Sequence, residues 1–213
     1  MRFESEQLIY FRKNAPKKIK SLKPVFKNLG LVHQKYIKGE VGKGDDHPYH
    51  YTERPHVGLF AAAVWLSGGT ALEEYKTQKT KDNKYGRCDL GFRVGNVGFE
   101  CEAKRLWLKL GYNSKDLASE IYHHERDGLK KAIQNVNELQ SENGLALCFV
   151  IPGIRKLEFD DLDKILHGLI ESIKQKKSHW DALVWIGSKN WQKPKDKDFS
   201  FPGLLLVVKY VKR

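Results

Sequence analysis

Cysteine is scarce in this chain: its 213 residues include three. That number over that length does not make a disulfide framework and fits a reducing compartment. Long apolar runs are missing too. The most apolar stretch, Gly58 to Leu66, has nine residues, where a membrane-spanning helix needs about 20. The opening residues, MRFESEQ, place acids where a secretory leader requires an apolar segment, so a cytoplasmic protein is expected. Acid is absent altogether from Gln7 to Gly39. Repeats and low-complexity tracts are absent as well. What is present, 40% hydrophobic and 11% aromatic residues, excludes a disordered tail and suffices for one α/β domain with its own core.

The charge is uneven. Lys and Arg number 38 against 26 Asp and Glu, a net +12. Nine of those positive charges fall in the acid-free stretch: Arg12, Lys13, Lys17, Lys18, Lys20, Lys23, Lys27, Lys35 and Lys38. The remainder of the chain carries only +3. Tyr10, Phe11, Phe26 and Tyr36 are interleaved with the lysines, and Pro16 and Pro24 are expected to interrupt any long helix. Lysines neutralise phosphates and aromatic rings stack on bases, which reads as a nucleic-acid-binding arm with Arg12 to Lys27 as its contacts. A solubilising segment whose aromatics dock on the core explains the composition equally well. The Gly-rich, charged Gly39 to Asp46 is the linker candidate, dividing a basic N-terminal arm, residues 1–46, from a main domain, residues 47–213.

Within the main domain, Thr52 and Pro55 open a helix that ends at Ser67-Gly68-Gly69. Ala71 to Gln78 follows as a strand and Lys79 to Lys84 as a polar loop. Asp116 to Leu139 and Phe159 to Lys177 read as helices, the second with Leu162, Ile165, Leu166, Leu169, Ile170 and Ile173 at helical spacing. Leu145 to Ile151, Ala182 to Ile186 and Leu204 to Val211 read as strands. Strand, helix, strand over Leu145 to Ile186 predicts a βαβ unit with a parallel pair. The class is α/β with a central mixed β-sheet flanked by helices.

Arg87 to Val94 and Val97 to Lys104 alternate apolar and polar residues around Gly95-Asn96, the signature of a two-residue hairpin. That turn sets Val94 against Val97, Phe92 against Phe99, Leu90 against Cys101 and Cys88 against Ala103, an apolar face. The other face sets Gly91 against Glu100, Asp89 against Glu102 and Arg87 against Lys104. Opposed like charges destabilise a sheet and repel one another, so Asp89 and Glu102 call for a cation. Mg²⁺ takes carboxylate oxygens, keeps waters and substrate phosphate oxygens in its shell, and polarises a phosphoryl group. A nearby Lys104 would orient the attacking water or stabilise charge on phosphorus. Taken alone, this pattern also describes a solvated sheet face with cross-strand ion pairs.

At these residues the chain resembles the PD-(D/E)XK nuclease superfamily, which has the restriction-endonuclease-like fold. The matching pieces are Glu53 in TERPHVGLFAAAVWL, GRCDLGF around Asp89, and FECEAKR with Glu102-Ala103-Lys104, and the resemblance covers roughly Thr52 to Leu139. Cys88 stands where the signature has Pro. The resemblance implies a Mg²⁺-dependent nuclease, with Mn²⁺ substituting, that acts on DNA in preference to RNA. It makes Asp89 and Glu102 metal ligands, Lys104 the catalytic lysine and Glu53 the helix acid, with Glu73 or Glu74 the alternatives to Glu53. A catalytically inactive nucleic-acid-binding protein of the same fold is the rival reading. No membrane partner is implied, and a homodimer is compatible.

Four further groups of residues have blander readings. Glu100 shares the acidic face nearer the turn. His47, His50 and His56 match no helix-borne zinc pair and read as surface or groove histidines. Gln134, Lys130 and Lys131 lie on the helix after the Glu-Ala-Lys strand, Gln134 as a supporting polar residue. Cys88, Cys101 and Cys148 read as core thiols.

Overall fold

The computed structural model describes residues 7–38, 48, 51–79, 85–110, 128–155, 167–171, 174, 180–187 and 199–212. Eight strands are present among them: β1 (Gln7–Phe11), β2 (Thr70–Gln78), β3 (Tyr85–Val94), β4 (Val97–Leu110), β5 (Asn143–Arg155), β6 (Ala182–Gly187), β7 (Phe199–Ser200) and β8 (Gly203–Lys212). The helices are α1 (Lys17–Lys20), α2 (Lys23–Lys38) and α3 (Glu53–Leu66). Residues 128–136 and 167–171 are also helical. Seven strands run in the order β1-β6-β8-β5-β4-β3-β2, and the short β7 pairs with β5. Only β4 and β5 pair in parallel; all other described pairs are antiparallel. The class is α/β with a mixed sheet flanked by helices, as expected.

The unbroken apolarity of β5 reflects burial on both faces. Leu145, Leu147, Phe149 and Ile151 join a core with α2 and α3, while Ala146, Cys148 and Val150 join a second core with Leu129, Ala132, Val136, Leu169 and Ile170. The expected βαβ pair is corrected here. β5 and β6 run in the same direction but β8 lies between them, antiparallel to both. The parallel partner of β5 is β4, and the connection between these two carries the 128–136 helix. The final strand, β8, takes an interior place beside β5 because it too is buried on both faces.

α3 follows its sequence signals. Thr52 holds the extended N-cap backbone, though without a side-chain capping bond, and Gly68 at φ 76° lets the chain turn away after Ser67. The N-terminal segment behaves otherwise than the expected arm. β1 is an edge strand of the sheet, paired with β6 from Gln7 through Phe11. α2 runs 16 residues despite Pro24, which sits in the first turn, where a missing N–H and a fixed φ are tolerated. Leu22, Val25, Phe26 and Leu29 recur at helical spacing and are fully buried, while Lys23, Lys27 and Lys35 face solvent. Phe26 packs between Phe11 and Phe60, with ring centroids 6.0 and 6.5 Å away. The linker candidate, Gly39 to Asp46, lies outside the described residues, as do residues 116–127 and 159–166 of the expected helices.

Arg12 is likewise structural. Its guanidinium pairs with buried Asp181 at 2.6 Å, where Lys209 at 3.2 Å and the Tyr210 N–H at 2.9 Å complete the carboxylate's partners. This ties β1 to the start of β6. If residues 7–38 belong to the core, Phe26→Ala will lower unfolding free energy by about 3–5 kcal/mol in urea titrations; a detached arm would leave the transition unchanged.

Candidate active site

The hairpin forms in the expected register, from Val94 opposite Val97 to Leu90 opposite Cys101. Gly95 has φ 56° and Asn96 does not share the positive φ, so the turn is type II′, with glycine at its first central position. The apolar face is buried: Cys88, Leu90, Phe92, Phe99, Cys101 and Ala103 all lie inside. All three cysteines are buried, as expected, and none forms a disulfide among the described residues.

The ladder stops one pair short of Asp89 and Glu102. Beyond Cys101 the N–H groups of Ala103 and Arg105, two residues apart, point to the same edge of β4. Each is taken by a carboxylate in place of the β3 backbone. Asp89 Oδ2 accepts from Ala103 N at 2.8 Å, and Glu53 Oε2, at the start of α3, accepts from Arg105 N at 3.0 Å. Lys104 Nζ lies 3.3 Å from Glu53 Oε1 and also donates to the Ala103 carbonyl. Four residues expected at the site, Glu53, Asp89, Glu102 and Lys104, are therefore gathered at one stretch of β4. Asp89 and Glu102 are neighbours, although not as a ladder pair.

Glu102 is the most enclosed of the acids gathered here, with its side chain 4% exposed. Asn135 Nδ2 donates to Oε2 at 3.3 Å, and Lys79 Nζ stands 3.8 Å from Oε1. Oε1 has no hydrogen-bond partner among the described residues. Burial, reinforced by the Asp89 charge, pushes the Glu102 carboxyl up to about 7, against the opposing pull of Lys79, Asn135 and Lys104. Burial also raises Glu53, where Lys104 works against the shift and Asp89 adds to it.

Sequence reasoning missed Lys79 and Asn135. Lys79, read as loop, lies across Gly86, where a Cβ would come within 2.4 Å of the lysine Cε. A glycine immediately before Arg87 is the one sequence signal for it. Asn135 replaces the expected Gln134, because the 128–136 helix turns Gln134 to solvent and Asn135 toward β4. Lys130 and Lys131 are exposed.

The structure distinguishes the alternative acids. Glu74 has φ 48°, a left-handed conformation in mid-strand. The β2–β3 register is the same on both sides of it, yet the facing of side chains reverses. Glu73 approaches Gly58 of α3, whereas Tyr75 crosses Gly91 on the opposite face and donates to Glu100 Oε1 at 2.7 Å. Glu74 lines a pocket of about 180 Å³ with Thr52, Glu53, Arg54, Val57 and Asp89; Glu73 does not. Glu100 also accepts from Thr77 Oγ1 at 3.4 Å and Ser141 N at 3.3 Å, which fixes it beside Glu102.

His56 is corrected. It is fully buried, stacked on Phe149 at 5.3 Å between ring centroids, and burial lowers its pKa to about 4. The helical turn from Glu53 carries it under the sheet. His47 and His50 lie outside the described residues. Lys13, Lys17, Lys18, Lys20, Lys23 and Lys27 are exposed. Lys18 donates to Asn143 at the start of β5, and Lys104 lies level with Cys148 five residues further on, about 17 Å at ~3.3 Å per residue.

Among the described residues, no group of three or more His, Cys, Asp and Glu side chains is placed to hold a metal ion. The donors nevertheless suit a hard divalent cation. Asp89 and Glu102 offer carboxylate oxygens, one of them the buried Oε1 that accepts no hydrogen bond among the described residues, and their mutual repulsion is the energy a cation would offset. Glu53 is engaged by Lys104 and Arg105.

Glu102 titrates near 7 in the folded chain against 4.5 when unperturbed, so ionising it lowers stability. The cost is absent below about pH 4.5, grows as pH rises, and is complete above about pH 7. Glu102→Gln will therefore melt several degrees above the parent chain at pH 8.5 and together with it at pH 4, measured by thermal denaturation in chelator.

Comparison of the chain with family models, with curated proteins and with solved structures finds no match.

Proposed function

We propose that the chain is a Mg²⁺-dependent nuclease with a restriction-endonuclease-like core, hydrolysing phosphodiester bonds in DNA in preference to RNA. One observation carries the reading. Two successive edge amides of β4 are held by Asp89 and Glu53, and this gathers Glu102 and Lys104 beside them. A structural sheet has no need to break its own ladder and set acids at the break.

Asp89 and Glu102 would hold the cation, with Glu102 Oε1, which has no hydrogen bond among the described residues, as a lone-pair donor. When bound, the ion supplies Lewis acidity toward a phosphoryl oxygen. Lys104 brings a partly exposed ammonium to the same place, able to stabilise charge that develops on phosphorus. Glu53 positions Lys104 by pairing with its Nζ and is itself fixed by the Arg105 amide. Asn135 and Lys79 orient Glu102. The exposed lysines of the N-terminal segment serve as phosphate contacts, with Arg12 excluded by its pairing to Asp181. The ~17 Å between Lys18 and the level of Lys104 corresponds to about five phosphates of one strand.

The pairing of Lys104 with Glu53 favours a second reading, nucleic-acid binding without catalysis, since it occupies both groups. Cleavage separates the two. The purified chain will cut linear, circular or single-stranded DNA with Mg²⁺ or Mn²⁺ and stop with chelator. Asp89→Asn and Lys104→Ala will each lower the rate about 100-fold or more. DNA that is bound but left intact by the parent chain would establish the second reading instead.

A further inference from the structure

We propose that Arg54 and Arg87 form a clamp for a backbone phosphate of the nucleic-acid strand, next to the phosphate being cut, with Glu74 as the residue that positions both. The inference rests on the nuclease reading and extends it to how the strand is seated.

Glu74 forms an ion pair with Arg54 Nε through one oxygen at 3.3 Å and with Arg87 Nη1 through the other at 3.2 Å. One carboxylate thus joins the first turn of α3 to β3. Each guanidinium approaches Glu74 through one nitrogen, and both side chains remain about 70% exposed, 72% for Arg54 and 70% for Arg87. Their other N–H groups are left for a ligand. Planar guanidinium forks suit phosphate oxygens, and two forks tied to one acid are fixed before the ligand arrives.

The location is the second argument. Arg54 and Glu74 line the pocket of about 180 Å³ that Glu53 and Asp89 also line. The third is strain. A non-glycine residue in the left-handed region costs about 1–2 kcal/mol, and such conformations concentrate where a site requires them. Glu74 sits directly across β3 from the break at Asp89, between the pairs Glu73–Leu90 and Tyr75–Cys88. Exposed ion pairs alone contribute too little to repay that cost.

The test is binding of a labelled DNA duplex in chelator across a salt series, read by fluorescence anisotropy. Each lost phosphate contact flattens the plot of log affinity against log salt by about 0.9. Arg54→Ala/Arg87→Ala will therefore flatten it by about 1.8 if each arginine meets one phosphate charge. Glu74→Gly is the decisive variant. Glycine accepts the left-handed backbone, so the strand is retained while the carboxylate is lost. Net charge alone predicts tighter binding when an acid is removed from a basic protein; the clamp predicts weaker binding and a flatter slope. Glu74→Gly binding at or above the parent level, or an unchanged slope in the double arginine variant, overturns the clamp and leaves the nuclease reading intact. Parent binding without Mg²⁺- or Mn²⁺-dependent cleavage overturns catalysis and leaves the clamp standing. A parent chain that binds no DNA overturns both.

Discussion

The site depends on an interrupted hydrogen-bond ladder. β4 has β5 on one side along its length, but β3 accompanies it only as far as Cys101. Past that point two backbone donors would face the outside of the sheet, and a buried N–H without a partner is costly. Carboxylates fill the role: Asp89 from the departing strand and Glu53 from the helix across the sheet. Satisfying the backbone in this way brings together acids that Coulomb repulsion would otherwise keep apart. The positions of Lys104, Glu102 and Asn135 follow from which way β4 then faces.

The surrounding fold makes that break tolerable. β4 and β5 are paired over 11 positions, and β5 is sandwiched between two apolar cores, so the sheet is rigid where the ladder opens. The N-terminal segment contributes to the same rigidity. Its apolar stripe completes the core over α3, and Arg12 reaches a buried acid at the head of β6. Its lysines stay outside, so one stretch of chain supplies both core and positive surface. An amphipathic helix docks its aromatic and aliphatic stripe on the core while its lysines face solvent.

Repulsion is retained at the site. Burial and the Asp89 charge raise the Glu102 carboxyl to about 7, with two lysines and Asn135 offsetting only part of the cost. Replacing such groups with apolar ones is generally neutral or stabilising, so a buried Glu102 set beside the half-buried Asp89 is a cost of the kind that concentrates at functional sites. The left-handed Glu74 is a second cost at the same place, and it reverses the facing of β2 so that Tyr75 reaches Glu100. Strain and repulsion converge on Asp89 from its two neighbouring strands.

The hairpin, its glycine turn, its register and its buried thiols were legible in the sequence, because a two-residue turn and a period of two leave one consistent pairing. Helix α3 was legible because its ends carry their own chemistry. Those are local constraints. The sequence did not disclose that the ladder would stop at Cys101, since alternation continues through Lys104. It did not place β8 between β5 and β6, since three apolar strands have no order until their faces are packed. It gave Glu73 and Glu74 equal standing, and a single backbone angle separated them. Local chemistry by itself determined the elements and which residues share a face. Tertiary packing alone decided which strand lies next to which, where the backbone runs out of partners, and therefore which acids, Asp89 and Glu53, are drawn in to replace them.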